Sequence, residues 1–141
     1  MTGYLEVTPD NGMAFAQRRL EGPIVMLNLL AFKPRADYSG FPELAPPQPI
    51  SGRAAFERYV AHTLPFLHAS GGEMMYLGEG GHYLIGPEDS GWDMVMLIRQ
   101  SSAADFLGFA ENPAYLAGIG HRTAALEDSR LLPLQDVNLT P

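Results

Sequence analysis

Runs of apolar residues, separated by glycine, proline and helix-capping residues, divide the chain into strands and helices. Continuous apolar runs predict buried strands, whereas apolar residues three or four positions apart predict amphipathic helices. The predicted elements are a short helix from 9 to about 20, a strand at 24–32, a helix at 51–70, a strand within 73–87, a strand at 92–100, a helix from 102 that restarts at 113 and ends near 128, and a strand at 129–134. Without the first helix this order is βαββαβ, the ferredoxin-like, split βαβ arrangement of an α+β protein.

Glycine and proline refine these elements. The glycines between 78 and 81 predict one long strand bent by a glycine bulge, rather than two strands. Pro65 removes a backbone donor inside a helix and predicts a kink there. Pro133 cannot donate to a ladder, so the last strand is predicted at an edge of the sheet.

A proline-rich insert follows the first strand at 34–52. Its five prolines predict a surface excursion with little regular structure, either a functional lid or a mobile connector. The domain organisation that follows is an N-terminal extension at 1–22, a single ferredoxin-like domain at 23–134 that carries this insert, and a tail at 135–141.

The strands are apolar on both faces, which is unusual for a sheet that carries helices on one face only. In the first strand, Ile24, Met26 and Leu30 point one way, and Val25, Leu27 and Leu29 point the other. A bare apolar face of this size is too costly in water, at roughly 25 cal/mol per Å². We therefore expect the second face to be covered by another copy of the same sheet in a two-fold homodimer. The alternative cover is the proline-rich insert, which lacks an apolar pattern suited to a sheet.

Composition narrows the functional classes. The 141 residues fit one domain, and a net charge of −7 with scattered Lys and Arg argues against a nucleic-acid partner. The chain has no cysteine, which excludes disulfides, thiolate metal sites and a cysteine nucleophile. No apolar run approaches the roughly 18 residues that span a bilayer, and "MTGYLEVTPDNG" has no signal-peptide pattern. We expect a cytoplasmic protein that is not bound to a membrane.

Three segments carry a resemblance to a known family. "GPIVMLNLLAF", "WDMVMLIR" and "FAENPAYLAGIGHRTAALEDSRLLPL", together with the element order, resemble an uncharacterised family of the dimeric α+β barrel superfamily, over most of residues 22–134. The resemblance implies a ferredoxin-like protomer and a homodimer with stacked sheets. It implies no activity, because superfamily members include small monooxygenases, isomerases, haem-dependent enzymes and binding proteins. A flavin or haem is suggested only by that analogy.

Several polar residues lie on otherwise apolar faces. Asn28 interrupts the first strand, and it is either a structural amide bonded within the protein or a ligand-holding group. Arg122 lies on the inward side of its predicted helix. Glu127 and Asp128 are predicted to pair with Arg122, Arg130 or Arg99, and the alternative is that Arg122 anchors a carboxylate in a pocket. Arg99 is the second candidate for such an anchor.

Histidines and aromatic residues supply the remaining candidates. No histidine pair has metal-site spacing, so we predict no metal site and no cofactor signature. His121 is a candidate general base, and Tyr59 is a candidate proton carrier, although a helix-surface histidine is usually only solvated. Trp92 and Tyr115 suit a pocket wall or a dimer interface equally.

Two hypotheses of function follow. The first is a small cofactor-independent enzyme that acts on a carboxylate or carbonyl compound in a cleft between sheet and helices, where Asn28 and Arg122 position the compound and His121 or Tyr59 moves protons. The second is a non-catalytic homodimeric module that binds a small ligand or has a structural role. A filled interior without a concave pocket would favour the second hypothesis.

Overall fold

A computed structural model of the chain describes residues 3–139. Its helices and strands, in chain order, are α1 (Pro9–Gln17), β1 (Ile24–Phe32), a 3-10 turn (Pro42–Leu44), α2 (Gly52–Ala69), β2 (Glu73–His82), β3 (Gly91–Gln100), α3 (Ala103–Ala110), α4 (Pro113–Leu116), α5 (Ile119–Ala125) and β4 (Leu126–Gln135). Side chains cap four of the helices as the sequence predicts: Ser51, for example, accepts a hydrogen bond from the Ala54 backbone N–H at 3.0 Å.

The four strands form one antiparallel sheet in the order β2-β3-β1-β4. With one helical segment after β1 and another after β3, this is the ferredoxin-like arrangement, so the predicted fold class is confirmed. β4 lies at the edge of the sheet, as Pro133 predicted.

Two predicted helix ends and one predicted bulge position were wrong. The last helix does not continue to 128: α4 stops at Leu116, and α5 ends at Ala125 because Leu126 becomes extended and pairs with Phe32 of β1. Glu127 and Asp128 therefore lie on β4 rather than at a helix end. β2 is one strand, but its register shifts between Met74 and Tyr76 and not at the glycines. The first helix ends three residues earlier than predicted.

The core lies between the helix-facing side of the sheet and α2, α4 and α5. Alternation along β1 buries every second residue, beginning at Ile24, which is the pattern of a strand with one covered face. The side chains that fill this core are Leu30, Tyr38, Phe56, Tyr59, Met94, Met96, Tyr115 and Leu126. Helix α2 runs through Pro65 and packs mainly against α5.

The proline-rich insert folds onto the helices and not onto the sheet. The Lys33 backbone N–H donates to the Ala125 carbonyl at 2.8 Å, and the Asp37 backbone N–H donates to the Ala124 carbonyl at 2.9 Å. These two bonds hold residues 33–37 against α5. Phe41 and Leu44 pack so closely against Gly120 that a Cβ there would lie within 3 Å of both side chains. The insert therefore does not supply the cover that the second sheet face requires.

The other sheet face, which we call the open face, carries an apolar patch that no described element buries. Antiparallel register places directly opposed residues on one face, so three apolar rows lie side by side there. Their members are Val25, Leu27 and Leu29 of β1, Val95 and Leu97 of β3, and Leu132 and Leu134 of β4. Leu132 is 51% exposed, and Tyr76 of β2, on the same face, is 56% exposed.

The N-terminal extension contacts both ends of β4. Near its start, the Tyr4 backbone N–H donates to Asp128 at 2.8 Å, and Ser129 donates to the Tyr4 carbonyl. Near its end, Arg18 donates to the Pro133 carbonyl at 2.7 Å. β2, the opposite edge, is exposed along most of its length. Within residues 3–139, no helix is both long and apolar enough to cross a membrane.

Candidate functional site

His121 forms a hydrogen-bonded pair with a tyrosine of the insert. The Tyr38 hydroxyl lies 2.7 Å from His121 Nδ1, and the two rings meet edge to face with centroids 5.5 Å apart. Tyr38 is buried, and His121 is half-buried. α5 positions the imidazole, and the backbone bonds between the insert and α5 position the phenol, so both partners belong to fixed elements.

Two further basic side chains, both on α2, act electrostatically on this pair. His62 Nε2 lies 2.9 Å from the Ala114 carbonyl and 3.2 Å from the Tyr115 carbonyl, so this nitrogen carries the proton and donates. A Cβ on Gly118 would lie only 2.2 Å from the His62 ring, which shows how tightly the α4–α5 connection packs on it. Arg58 precedes His62 by one helical turn and is exposed. We call Tyr38, Arg58, His62 and His121 the seam cluster, because they lie where α2 meets α5.

The surroundings of Tyr38 and His121 in the seam cluster favour the uncharged form of each side chain. Burial lowers the pKa of His121, and the neighbouring Arg58 and His62 lower it further, because they repel a second positive charge. Burial also raises the pKa of Tyr38. Both shifts favour uncharged groups, so near neutral pH the pair consists of an imidazole and a phenol. A neutral imidazole has a lone pair that can accept a proton.

Tyr59 and Tyr115 form a separate pair inside the core. Their hydroxyls lie 2.7 Å apart, and both side chains are buried. Burial, and then the neighbouring Tyr59, strongly raise the pKa of Tyr115, so this hydroxyl stays protonated. The structure thus places the two predicted proton carriers, Tyr59 and His121, in different hydrogen-bonded pairs.

Asn28 is bonded within the sheet. Its amide nitrogen lies 3.1 Å from the Met26 carbonyl and 3.4 Å from the Met96 carbonyl, and the residue is 9% exposed. Both contacts are those that the structural interpretation of Asn28 expects.

Arg122 holds the N-terminal extension. Its guanidinium donates to the Leu5 carbonyl at 2.9 Å and to the Ser129 hydroxyl at 3.3 Å. Asp128 pairs at 2.7 Å with Arg130, which is one of the three arginines predicted as its partner, and it lies with Glu127 on β4 rather than at a helix end. Burial alone would raise the pKa of Asp128, but hydrogen bonds from the Tyr4 backbone N–H, the Arg130 guanidinium and the Ser129 backbone N–H together lower it.

The remaining predicted ligand-binding residues lie elsewhere. Trp92 donates from its indole nitrogen to the Tyr83 hydroxyl at 2.6 Å, and the Arg130 guanidinium lies 5.1 Å from the Trp92 ring centroid. Arg99 lies on the open face opposite Val25 and Glu73. The structure therefore does not gather the predicted site residues into one cleft.

Two concave surfaces of the described chain are open grooves. One of about 350 Å³ lies between α2 and α3 and is lined by Phe66, Ser70, Asp105, Phe109 and their neighbours. The other, of about 290 Å³, lies at the β2–β3 hairpin beside His82 and Trp92. Across residues 3–139, no three His, Asp or Glu side chains are grouped so that they could hold a metal ion.

Sequence reasoning missed Tyr38, Arg58 and His62. Arg58 and His62 have i, i+4 spacing, which places them on one side of α2, and this signal was available. Tyr38 lies in an insert without periodicity, so no pattern indicated that it returns to α5.

The order of the strands and the single-sided helix layer define the chain as a ferredoxin-like α+β protein. Two crystal structures of the RPA0582 protein from Rhodopseudomonas palustris, a protein of unknown function, share 35% sequence identity with this chain. Each alignment covers 98% of this chain, and the alignments cover 98% and 100% of the RPA0582 chains. The TM-scores are 0.82 and 0.80. This chain belongs to the RPA0582 family, which confirms the resemblance to an uncharacterised family. The solution structure of the hypothetical Arabidopsis thaliana protein At3g17210 shares the fold alone, at 12% identity over 86% of this chain and 94% of its own, with a TM-score of 0.51. No protein-family model and no curated protein matches the sequence.

Proposed function

We propose that this protein acts as a homodimer whose two sheets stack through their open faces, and that it is a non-catalytic module with a structural or small-ligand-binding role. The observation that carries the dimer is the uncovered apolar patch of Leu27, Leu97 and Leu132 and their neighbours. The insert, the other element considered as a cover, packs against α5 on the opposite side of the sheet.

The size of the surface supports a dimer. The protomer exposes 9178 Å² for a mass of 15.4 kDa. Folded monomers of this mass expose about 7,200 Å² by the usual scaling of surface with mass. The excess of roughly 2,000 Å² per protomer matches what an obligate dimer interface removes from each partner.

The internal bonding of the core supports a non-catalytic role. Asn28, Arg122 and the Tyr59–Tyr115 pair all bond to groups of the chain itself. In the enzyme hypothesis these groups would hold a compound between sheet and helices.

Adjacent leucines of β4 give a matched test of the dimer. Leu132 lies opposite Leu27 on the open face, whereas Leu131 lies opposite Asn28 on the helix-facing side, and the two are 51% and 41% exposed. Light scattering after size exclusion should show a dimer for the wild type and for Leu131→Lys, and a monomer for Leu132→Lys. A wild-type monomer at micromolar concentration, or equal behaviour of the two variants, would refute the proposed interface.

The second candidate function is a small enzyme that moves a proton on a carbonyl or carboxylate compound. The Tyr38–His121 pair favours it, because an uncharged, half-buried imidazole is held by a neighbouring hydroxyl at 2.7 Å. When the Nδ1–H of His121 donates to the Tyr38 hydroxyl oxygen, the lone pair on His121 Nε2 can accept a proton from a carbon next to a carbonyl.

Hydrogen–deuterium exchange tests this second candidate without knowledge of the full substrate. A panel of small 2-oxo acids in D₂O is followed by ¹H NMR with wild type, His121→Asn and the matched surface control His68→Asn. Catalysis predicts α-carbon exchange that is lost only in His121→Asn. Exchange at the buffer rate with every compound in the panel would count against catalysis and leave the non-catalytic module.

A further inference from the structure

We propose that the seam cluster is a binding site for a small oxyanion, a carboxylate or phosphate group, with Arg58 as its charged anchor and His121 and His62 beside it. This inference goes beyond the proposed dimer and does not depend on catalysis, because the cluster lies on the helix side of a single protomer.

The first ground is the missing counter-charge. The described residues form three ion pairs within 4.0 Å, and Arg58 takes part in none of them. After burial, Arg58 and His62 from α2 are the groups that lower the pKa of His121, and Tyr38 from the insert contacts it directly. The carboxylate of Asp37, the residue before Tyr38, accepts from the Ser39 N–H and lies 4.0 Å from Lys33. In a chain with a net charge of −7, such a cluster of basic groups is the exception.

The second ground is preorganisation. Tyr38 fixes the His121 ring, and the Ala114 and Tyr115 carbonyls together with Gly118 fix the His62 ring. A ligand therefore does not have to order these rings when it binds. Arg58 presents a planar guanidinium, which matches carboxylate or phosphate oxygens with two parallel hydrogen bonds.

The cluster also predicts a linkage between ligand and proton. Without an anion, burial and then Arg58 and His62 disfavour the protonated form of His121. A bound anion within about 4–6 Å would favour that form and raise the pKa of His121. By reciprocity, the anion would bind more tightly when His121 is protonated.

NMR of the histidine ring signals tests the site on the full chain, with sodium acetate and inorganic phosphate as separate probes at a constant ionic strength of about 0.15 M. We expect a saturable shift of the His121 signals with at least one probe, and the stronger probe identifies the oxyanion. Arg58→Gln should weaken this binding by about tenfold or more, as loss of a charge-assisted pair predicts. The control is Arg53→Gln on the same helix, whose side chain pairs with Glu79 at 2.6 Å and which should bind like the wild type.

Both exposed substitutions leave the core untouched, and the His62 signals provide a second reporter in each variant. Repeating the titration in Leu132→Lys separates the site from the dimer, since anion binding should persist in a monomer. The proposal is overturned if neither probe gives a saturable shift up to about 50 mM, a concentration at which a site with a Kd of about 1 mM would be saturated. It is also overturned if Arg58→Gln and Arg53→Gln bind equally.

Discussion

Replacing Tyr59 by phenylalanine tests how the core manages its buried hydroxyl pair. The change removes one oxygen and leaves the Tyr115 hydroxyl, in a side chain only 7% exposed, without its partner at 2.7 Å. An unpaired buried hydroxyl costs about 1–3 kcal/mol, so Tyr59→Phe should lower the free energy of unfolding by that amount. The double variant Tyr59→Phe/Tyr115→Phe should lose less than the two single losses combined, because no hydroxyl is then left unpaired.

Urea unfolding at fixed protein concentration measures these differences, with the fluorescence of Trp92, the one tryptophan of the chain, as the signal. A loss below about 0.5 kcal/mol for Tyr59→Phe, or strictly additive losses in the double variant, would refute the reasoning.

An alkaline series adds an independent check. The raised pKa of Tyr115 means that its stabilising effect is complete below pH 10, the ordinary value, and is lost as the pH rises further. Tyr115→Phe should reduce this loss.

Three further predictions concern other parts of the fold. Gly52→Ala should destabilise the fold by more than about 2 kcal/mol in the urea assay, because the new Cβ would lie 2.2 Å from the Lys33 carbonyl oxygen. Gly108→Ala on α3 should instead stabilise by about 0.5–1 kcal/mol in the same assay, because its Cβ would meet nothing within 4 Å. Ser51→Ala removes the acceptor for the Ala54 N–H and should cost about 1 kcal/mol in thermal or urea unfolding. Because the pKa of His121 is lowered, the uncharged imidazole contributes to the free energy of unfolding above pH 6.5, the ordinary pKa of histidine. This contribution is lost as the pH falls below that value. His121→Asn should therefore flatten the stability difference between pH 7.5 and 5.5, and an unchanged slope would contradict the shift.

Most of the fold was predictable because strands and caps act locally. The apolar run at 24–32 and the hydroxyl of Ser51 determine their elements through burial and a single hydrogen bond. The end of α5 was not predictable in this way. A helical pattern continues past Ala125, but pairing of Leu126 with Phe32 of β1, a contact nearly a hundred residues away, outweighs it.

The candidate site was less predictable, since its members come from three separated segments. The apolar pattern drew attention to polar residues such as Arg122, but it could not show that Leu5 and Ser129 would accept hydrogen bonds from its guanidinium. Tyr38 reaches His121 only because the insert folds back on α5. Contacts between segments that are far apart in the sequence leave no periodic pattern in it.

The two edges of the sheet differ in how readily they pair with a strand of another chain. The N-terminal extension contacts β4 at both ends, and Pro133 offers no donor, whereas β2 is exposed. A strand of another chain can be added only where an edge has free backbone N–H and C=O groups, so β2 is the edge at which this sheet would accept one. In the proposed dimer the partner covers the open face and not this edge, so each protomer keeps its β2 edge available.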